Sequence, residues 1–449
     1  MKTILTVSLY YITIFYLFNL GKIYSQPIPD DFFLEKQQNM LYDNGINWKT
    51  LTCFNPLRFQ QLKSIQNSDT YPYKINYMIG GGLNNNDLKI FGYGLLKYRK
   101  YFYAYISPKL STESGNRKTS ILTEYSGIGF QNSWLKLQIG KGRENWGAGE
   151  NIELALNINS QPYEYFMLGS NYGNVRVNYI HGSLETLDNN IFRYITARGL
   201  EWTNNKSLII GISETIIYSG INRPIDIGYI NPISTHLEVE LNRRLNKYGD
   251  EFANAVWQLH ADMFFKEKIR ISTNILFDEF VIDPDLEIGK EHGRALSVRG
   301  AYKPNQLFFR PYFSYVFVGT PTFRHGNGSN NFVHNGSPLG WEKGSDSREI
   351  KIGFNYLNKN KMIASVSGGI FTSGEENILK RIFDPYADYL KDKFPSGVEK
   401  KSKFLDIYMD YKWKYNLVFK SKIRWEKGSF VENDGKEISL GISYLVDWY

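Results

Sequence analysis

Three groups of residues carry side chains suited to holding a polar ligand. Arg143 and Trp146 lie in Gly140-Lys-Gly-Arg143-Glu-Asn-Trp146-Gly147-Ala-Gly149. A tryptophan ring can stack on a sugar face, and a guanidinium can fork two hydrogen bonds to the carboxylate of an acidic sugar. A second role fits the same residues: Gly142, Gly147 and Gly149 shape a folded loop, and Trp146 packs inside the molecule. Arg223, Tyr229 and Asn231 form the second group, where Asn231-Pro232 marks a turn and sets a turn role against ligand contact. Trp341, Glu342, Asp346 and Arg348 form the third. There Asp346, just after Gly344, is equally suited to accepting local backbone hydrogen bonds.

No set of residues assembles a nucleophile, a base and an oxyanion donor. His325-Gly-Asn-Gly-Ser329-Asn330 departs from the His-x-Ser-Asn-Gly order of outer-membrane phospholipases, because the serine comes too late and no glycine follows Asn330. The 6 histidines are scattered without a zinc-enzyme spacing, and no GxGxxG or P-loop pattern appears. Asp283 and Asp285 are near each other in sequence, which says little about the separation a glycosidase pair needs. Cys53 is the single cysteine, so neither an intrachain disulfide nor a thiolate metal cluster can form. The expectation is a non-enzymatic chain with no catalytic residue, no metal and no cofactor.

The elements that must position these residues read as strands. In the last segment Ile438, Leu440, Ile442, Tyr444, Val446 and Trp448 alternate with Glu437, Ser439, Gly441, Ser443 and Asp447. Leu405 to Trp413 and Tyr415 to Trp425 show the same two-residue period. The apolar face ends in Trp or Tyr and the polar face carries charge throughout, which suits lipid outside and a wet or plugged lumen inside. The strands run to about 10 residues, against a usual mode of about 5 or 6. Charges within strands, such as Arg193, Arg198, Glu201, Lys420 and Arg424, are expected to form ion pairs in the lumen.

Connections supply a second, independent signal. Every second one is very short: at Arg99, Gln131, Asn204-Asn205, Lys266-Glu267, Pro304-Asn305, Asn358-Lys359-Asn360 and Lys414. The intervening ones are long, at 141–161, 217–253, 277–293, 318–348 and 372–402. Short turns on one side and long loops on the other is the outer-membrane pattern. The fold class is therefore all-β, a transmembrane antiparallel β-barrel of about 18 strands (16–18), spanning residues 71–449 with long extracellular loops. Trp448 and Tyr449 end the last strand on aromatics, the kind of signal that barrel-assembly machinery recognises.

Bulk properties agree with export to such a place. Of 449 residues 42% are hydrophobic, and the mean hydropathy is negative, which excludes a bundle of membrane helices. The 33 Tyr and 29 Phe are enough for two interfacial girdles, although an AT-rich genome enriches them as well. Lys2 precedes an apolar run from Ile4 to Phe18, and Ile23 and Ser25 fit a cleavage site, so residues 1–25 read as a signal peptide with Gln26 as the new terminus. An uncleaved anchor helix is the competing reading, but the run is short for a span of roughly 20 residues. Lys2 and Lys22 supply two of the +8 formal charge, leaving +6 on the mature chain. That modest, dispersed excess argues against nucleic acid and suits a surface bathed in anionic lipopolysaccharide or acidic glycan. Residues 26–70 do not alternate. They read as a periplasmic extension or partial plug, with short helices at Asp30 to Tyr42 and Pro56 to Gln66.

After the glycine-rich stretch from Gly140 to Gly149 come Glu214-Thr-Ile-Ile-Tyr218, Tyr229-Ile-Asn231-Pro232, Phe277-Asp278-Glu279-Phe280, and Ser337-Pro-Leu339-Gly340 followed by Gly344-Ser345-Asp346-Ser347. With these motifs in this order, roughly residues 130–350 resemble the Wzi capsule-assembly family of outer-membrane barrels, which bind capsular polysaccharide. Residues 43–72 are short beside the helical segment many members carry before the barrel. The resemblance implies a capsular or other surface polysaccharide as partner, besides outer-membrane lipid and lipopolysaccharide. On it, Arg143, Trp146, Arg223, Tyr229, Asn231, Trp341, Asp346 and Arg348 become candidate polysaccharide contacts. Two alternatives share the fold: a passive pore, and a structural surface protein used in adhesion or gliding.

Overall fold

A computed structural model describes residues 51–54, 73–84, 87–99, 101–113, 118–241, 253–279, 288–304, 309–358, 361–414, 417–429 and 435–448, with single positions 40, 42, 43, 45, 48 and 285. The expected signal peptide, the helix at Pro56 to Gln66, and Tyr415 and Tyr449 lie outside the described residues; of the helix at Asp30 to Tyr42, Met40 and Tyr42 are described and helical.

A chain in hydrocarbon must satisfy every backbone N–H and C=O internally, which leaves a closed sheet as the way for strands to cross. Among the described residues no helix is long and apolar enough to cross a membrane. Strands do it instead. They are β1 (Tyr73–Asn84), β2 (Asp87–Tyr98), β3 (Phe102–Glu113), β4 (Lys118–Gln131), β5 (Leu135–Gly142) and β6 (Tyr163–Asn171). There follow β7 (Val175–Ser183), β8 (Ile191–Thr203), β9 (Leu208–Ile221), β10 (Asn254–Phe265), β11 (Ile269–Glu279) and β12 (Gly293–Tyr302). The last are β13 (Phe309–Val318), β14 (Ser347–Asn358), β15 (Met362–Ser373), β16 (Lys400–Lys414), β17 (Leu417–Gly428) and β18 (Gly435–Trp448). Each pairs antiparallel with its neighbours in one 18-stranded sheet. β18 closes it on β1, in register from Ile75 opposite Trp448 to Asn84 opposite Ser439. No strand edge is left for lipid.

The expected strand at the C-terminus is β18, and its apolar face points outward: Leu440 and Ile442 are exposed. The opposite face of the wall is buried and polar, with Arg193, Arg270 and Arg299 among the largest fully buried side chains. Exposed aromatics gather at the short-turn end, where Tyr98, Phe102, Trp134, Tyr172, Trp202, Phe265, Phe309 and Trp413 form an interfacial girdle. Trp134 and Tyr172 stack across neighbouring turns at 6.4 Å.

Turn boundaries differ slightly from expectation. Gln131 and Lys414 are the last residues of β4 and β16, and Gly142 ends β5 rather than shaping the loop beyond it. Lys266 and Glu267 both take left-handed φ (48° and 56°), the backbone a tight hairpin needs. The long connections are 143–162, 222–253, 280–292, 319–346 and 374–399. On that same side β1–β2 and β3–β4 are joined by short links, at 85–86 and 114–117, so loop length is concentrated between β5 and β16.

Lipid facing sets the first prediction. Ile352 sits mid-strand in β14, 61% exposed. Ile352→Arg is expected to destabilise the folded barrel by roughly 2–4 kcal/mol, read from denaturant titration in detergent or lipid. Ser365→Arg, on the lumenal face, is expected to cost clearly less; equal costs would contradict the assigned faces.

Candidate functional site

The interior is built from two bodies, a strap and a set of infolded loops. Described residues between 40 and 54 cross the lumen at the short-turn end. Met40 packs with Ile363 and Val418, and Trp48 lies 5.9 Å from the Phe264 ring. Between them Asp43 accepts hydrogen bonds from Arg299 at 2.9 and 2.8 Å and from Arg270 at 3.1 Å. Arg270 is shared with Asp262 of the wall, at 3.0 and 2.6 Å. Burial alone would raise the Asp43 carboxyl, but the two guanidiniums hold it below its ordinary value. Further along, the Cys53 N–H donates to Glu201 at 2.9 Å, while Arg176 donates to Glu201 at 2.7 Å and to the Leu51 carbonyl.

From the long-loop end, 143–162 folds inward and docks on this strap. The Gly147 N–H donates to the Cys53 carbonyl at 2.8 Å, and the Trp146 ring lies 4.8 Å from Phe54. Gly147 has φ +143°, and a Cβ there would sit 2.8 Å from Asn274 Oδ1, so this position accepts only glycine comfortably. Wall amides hold the loop. Asn274 Oδ1 accepts from Ala148 N at 2.7 Å, and Gln258 Oε1 accepts from Ala155 N at 3.1 Å.

Loop 319–346 is laid over the first. Trp341 N donates to the Leu154 carbonyl at 3.1 Å, and Asn157 N to Leu339 at 2.9 Å. Arg193 clamps it by donating to the carbonyls of Ser329, Asn331 and Val333 at 2.5, 2.6 and 2.8 Å. The His325 to Asn330 segment is thus part of a structural clamp. Asp346 ties on the next loop, accepting from Thr320 Oγ1 at 2.9 Å, Ser396 N at 2.9 Å and Glu376 N at 3.2 Å.

These contacts place each residue expected from the sequence. Trp146, Trp341 and Asp346 are buried within the loop assembly, where Trp146 packs and Asp346 takes backbone hydrogen bonds, while Trp341 also lines a cavity between loops and wall. Trp146 has no accessible surface, and its ring packs on Phe54, the second of the two roles the sequence offers it. Arg143 pairs with Glu124 at 3.3 Å and lies over Tyr125. Arg223 and Tyr229, at the start of the 222–253 connection, belong to a separate aromatic stack on Tyr218 of β9. Tyr229 lies 4.4 Å from Tyr218, and Arg223 lies 4.6 Å above Tyr218. Both are buried. Asn231 is exposed and its Oδ1 accepts from Ile233 N at 3.1 Å, the turn role. The Arg348 side chain is 42% exposed and lies 3.9 Å from Glu399. The ion pairs expected in the lumen are present for Arg193 with Glu185, Arg198 with Glu214, Glu201 with Arg176 and Arg424 with Asp406.

Between the loops and the wall of β12–β18 lies a cavity of about 470 Å³, within the roughly 300–1,000 Å³ range of ligand pockets. Trp341, Glu342, Asn157 and Asn159 face it from the loops. Tyr312, Lys351, Asp406, Tyr408, Lys420, Lys422 and Arg424 face it from the wall. Register explains the wall: Asp406, Tyr408 and Asp410 of β16 lie opposite Arg424, Lys422 and Lys420 of β17. Lys351 pairs with Glu349 at 2.9 Å and Arg424 with Asp406 at 3.0 Å. Against burial, which would raise it, Lys343 with Lys351 and Lys422 holds the Glu342 carboxyl below its ordinary range. The sequence reading placed Lys420 and Arg424 in the lumen but passed over Lys351, Lys422, Asp406 and Tyr408 as site residues. Their alternation was visible; the register that collects them on one wall was not.

No protein-family model matches the sequence, and no curated protein matches it. Among solved structures the fold is similar to Wzi of Escherichia coli, described as an outer-membrane protein involved in group 1 capsule assembly and a carbohydrate-binding β-barrel. The TM-score is 0.66 at 11% identity, covering 92% of this chain and 98% of that one. OprD of Pseudomonas aeruginosa, an outer-membrane protein, gives 0.51 at 10% identity over 85% of this chain and 96% of that one. This chain is an outer-membrane β-barrel. At such identities the likeness is one of fold, and the long-loop end is the one that faces the cell exterior.

One buried carboxyl makes the loop assembly pH-sensitive. Glu153 accepts from Asn145 at 3.0 Å and from Asn157 at 3.4 Å, and burial raises its pKa to about 7. Its folded-state pKa exceeds its unfolded one, so the folded chain binds the extra proton between them. Stability therefore falls as pH rises from about 4.5 through about 7. Protease protection of 143–162 is expected to be stronger at pH 5 than at pH 8. Glu153→Gln should flatten that difference and protect the loop at pH 8; an unchanged pH profile would contradict the assignment.

Proposed function

We propose that this outer-membrane barrel binds and retains, or organises, an acidic surface polysaccharide such as capsule, without catalysis. The observation that carries this reading is the cavity wall: Lys422 and Arg424 alternate along β17 facing Asp406 and Tyr408, with Trp341 and Asn159 opposite on the loops. Guanidinium and ammonium groups recognise sugar carboxylates, carboxylates and amides take hydroxyls, and aromatic faces take the apolar side of a pyranose. The carbohydrate binding described for Wzi supports it, as does the motif resemblance. The buried motif residues shape the loops, and the cavity residues contact the glycan. The strap of residues 40–54 serves as a plug, behind a signal peptide removed on export.

Binding is testable with purified protein and acidic oligosaccharides, by calorimetry or a glycan array. Wild type is expected to bind uronate-containing oligomers, with affinity falling as salt is raised. Lys422→Glu should weaken binding about tenfold or more, equivalent to roughly 1.4 kcal/mol, with the barrel still folded. In cells a deletion should leave polymer synthesis intact and release glycan into the medium. Normal retention, together with no oligosaccharide bound, would overturn the reading in favour of a solute channel or an adhesive surface protein.

A further inference from the structure

Where the strap passes β8 and β10, three side chains from distant parts of the chain meet. Cys53, Glu201 and His260 are all buried, and their sulfur, carboxylate and ring-nitrogen atoms lie within 4.8 Å of one another. His260 Nε2 is 4.0 Å from Glu201 Oε2. Phe54 stands edge-on to the imidazole at 5.3 Å. Gly211 leaves the ring its space, since a Cβ there would sit 2.3 Å from Nε2.

The histidine is the independent observation. Its side chain has no accessible surface, and among the described residues neither ring nitrogen has a hydrogen-bond partner. A buried polar group left unmade costs about 1–3 kcal/mol, and native interiors rarely tolerate one without a purpose. Glu201, by contrast, is already oriented: Arg176 holds one oxygen at 2.7 Å and the Cys53 N–H the other at 2.9 Å. A carboxylate fixed from behind, an imidazole with nothing to bond and a thiol beside both make a mixed O, N and S donor set.

We propose that Cys53, Glu201 and His260 are a three-ligand site for a zinc-like divalent cation that fastens the strap to the barrel wall. Thiolate and imidazole donors select zinc-like ions over calcium or magnesium, which take oxygen. Tetrahedral coordination at roughly 2.0–2.3 Å places these ligand atoms roughly 3.3–3.6 Å apart, so each pair closes in by about 1.5 Å or less. Binding is a ligand and proton exchange without redox change: the hydrated cation sheds all but one of its waters to solvent as sulfur, carboxylate oxygen and imidazole nitrogen bond it, and the Cys53 thiol proton passes to bulk water. Arg176 and Arg270 nearby oppose a cation, and Glu201 and Asp262 favour it. The ion joins the strap to two wall strands at the point where 143–162 docks on the Cys53 carbonyl. A lone cysteine cannot form a cysteine-only cluster, but it can share an ion with His260 and Glu201.

The test uses the full chain in detergent, stripped with a chelator under reducing conditions and then equilibrated with Zn²⁺ or Co²⁺ alone. One equivalent per chain is expected, with a thiolate-to-cobalt charge-transfer band in the near ultraviolet. Cys53→Ser should lose the band, and His260→Ala should bind at least tenfold more weakly, while both keep the heat-modifiable gel mobility of a folded barrel. Zn²⁺ should slow protease cleavage within the strap about tenfold in wild type and not in the variants. Should either variant fail to fold, wild type alone decides through the cobalt band. A folded wild type that gives no band, or whose metal uptake matches that of the variants, overturns the proposal.

Discussion

Arg270 and Arg299 project from the wall into the barrel, fully buried, and each would be an uncompensated charge without a carboxylate to meet it. Asp262 serves Arg270 from the same wall, but Arg299 depends on Asp43, carried by the strap, with Glu150 of the first infolded loop at 3.6 Å. Removing one member of such a buried set costs about 3–5 kcal/mol, because the survivor stays desolvated. This requirement draws a segment from before the barrel into its interior. Once Asp43 is in place, Trp48, Leu51 and Cys53 follow against Phe264, Ile209 and Ala148, and the strap in turn gives Gly147 and Trp146 something to dock on.

The lumen consequently has two unequal halves. Against β3–β12 it is filled. Gln138 receives the Tyr103 hydroxyl and donates to Tyr105 and Tyr165, and Asn274, Gln258 and Ser297 are consumed by loop backbone. Against β12–β18 the same kinds of side chain remain around open volume. Fixed amides and clamped arginines suit the filled half, since a folded loop needs donors at one geometry. Lysines on four-carbon stems line the open half, where no backbone fixes their ammonium groups at one geometry.

Much of this was legible in the sequence, because the two-residue period and the alternation of connection lengths are direct consequences of lipid on one side of a sheet. Ile438 to Trp448 alternates as one strand, and Lys266-Glu267 marks a hairpin at the residues that adopt left-handed φ. The destination of Trp146 was not legible. A tryptophan among glycines in a long loop reads the same whether it faces a sugar or Phe54, and the deciding contact is made by a residue of the strap. Lys422 was hidden for another reason: its alternation marks it as lumenal, but only the pairing of β16 with β17 places it opposite Tyr408 beside a cavity. Cys53, Glu201 and His260 share no local motif, since they come from the strap and two different strands.

The most direct measurement of a lumen closed by its own strap and loops is planar-bilayer conductance of the purified barrel, beside Asp43→Ala. A plugged lumen gives a wild type with little or no steady current and a variant whose current rises as the strap is released. A large, steady ohmic conductance from wild type, unchanged by the substitution, would contradict it.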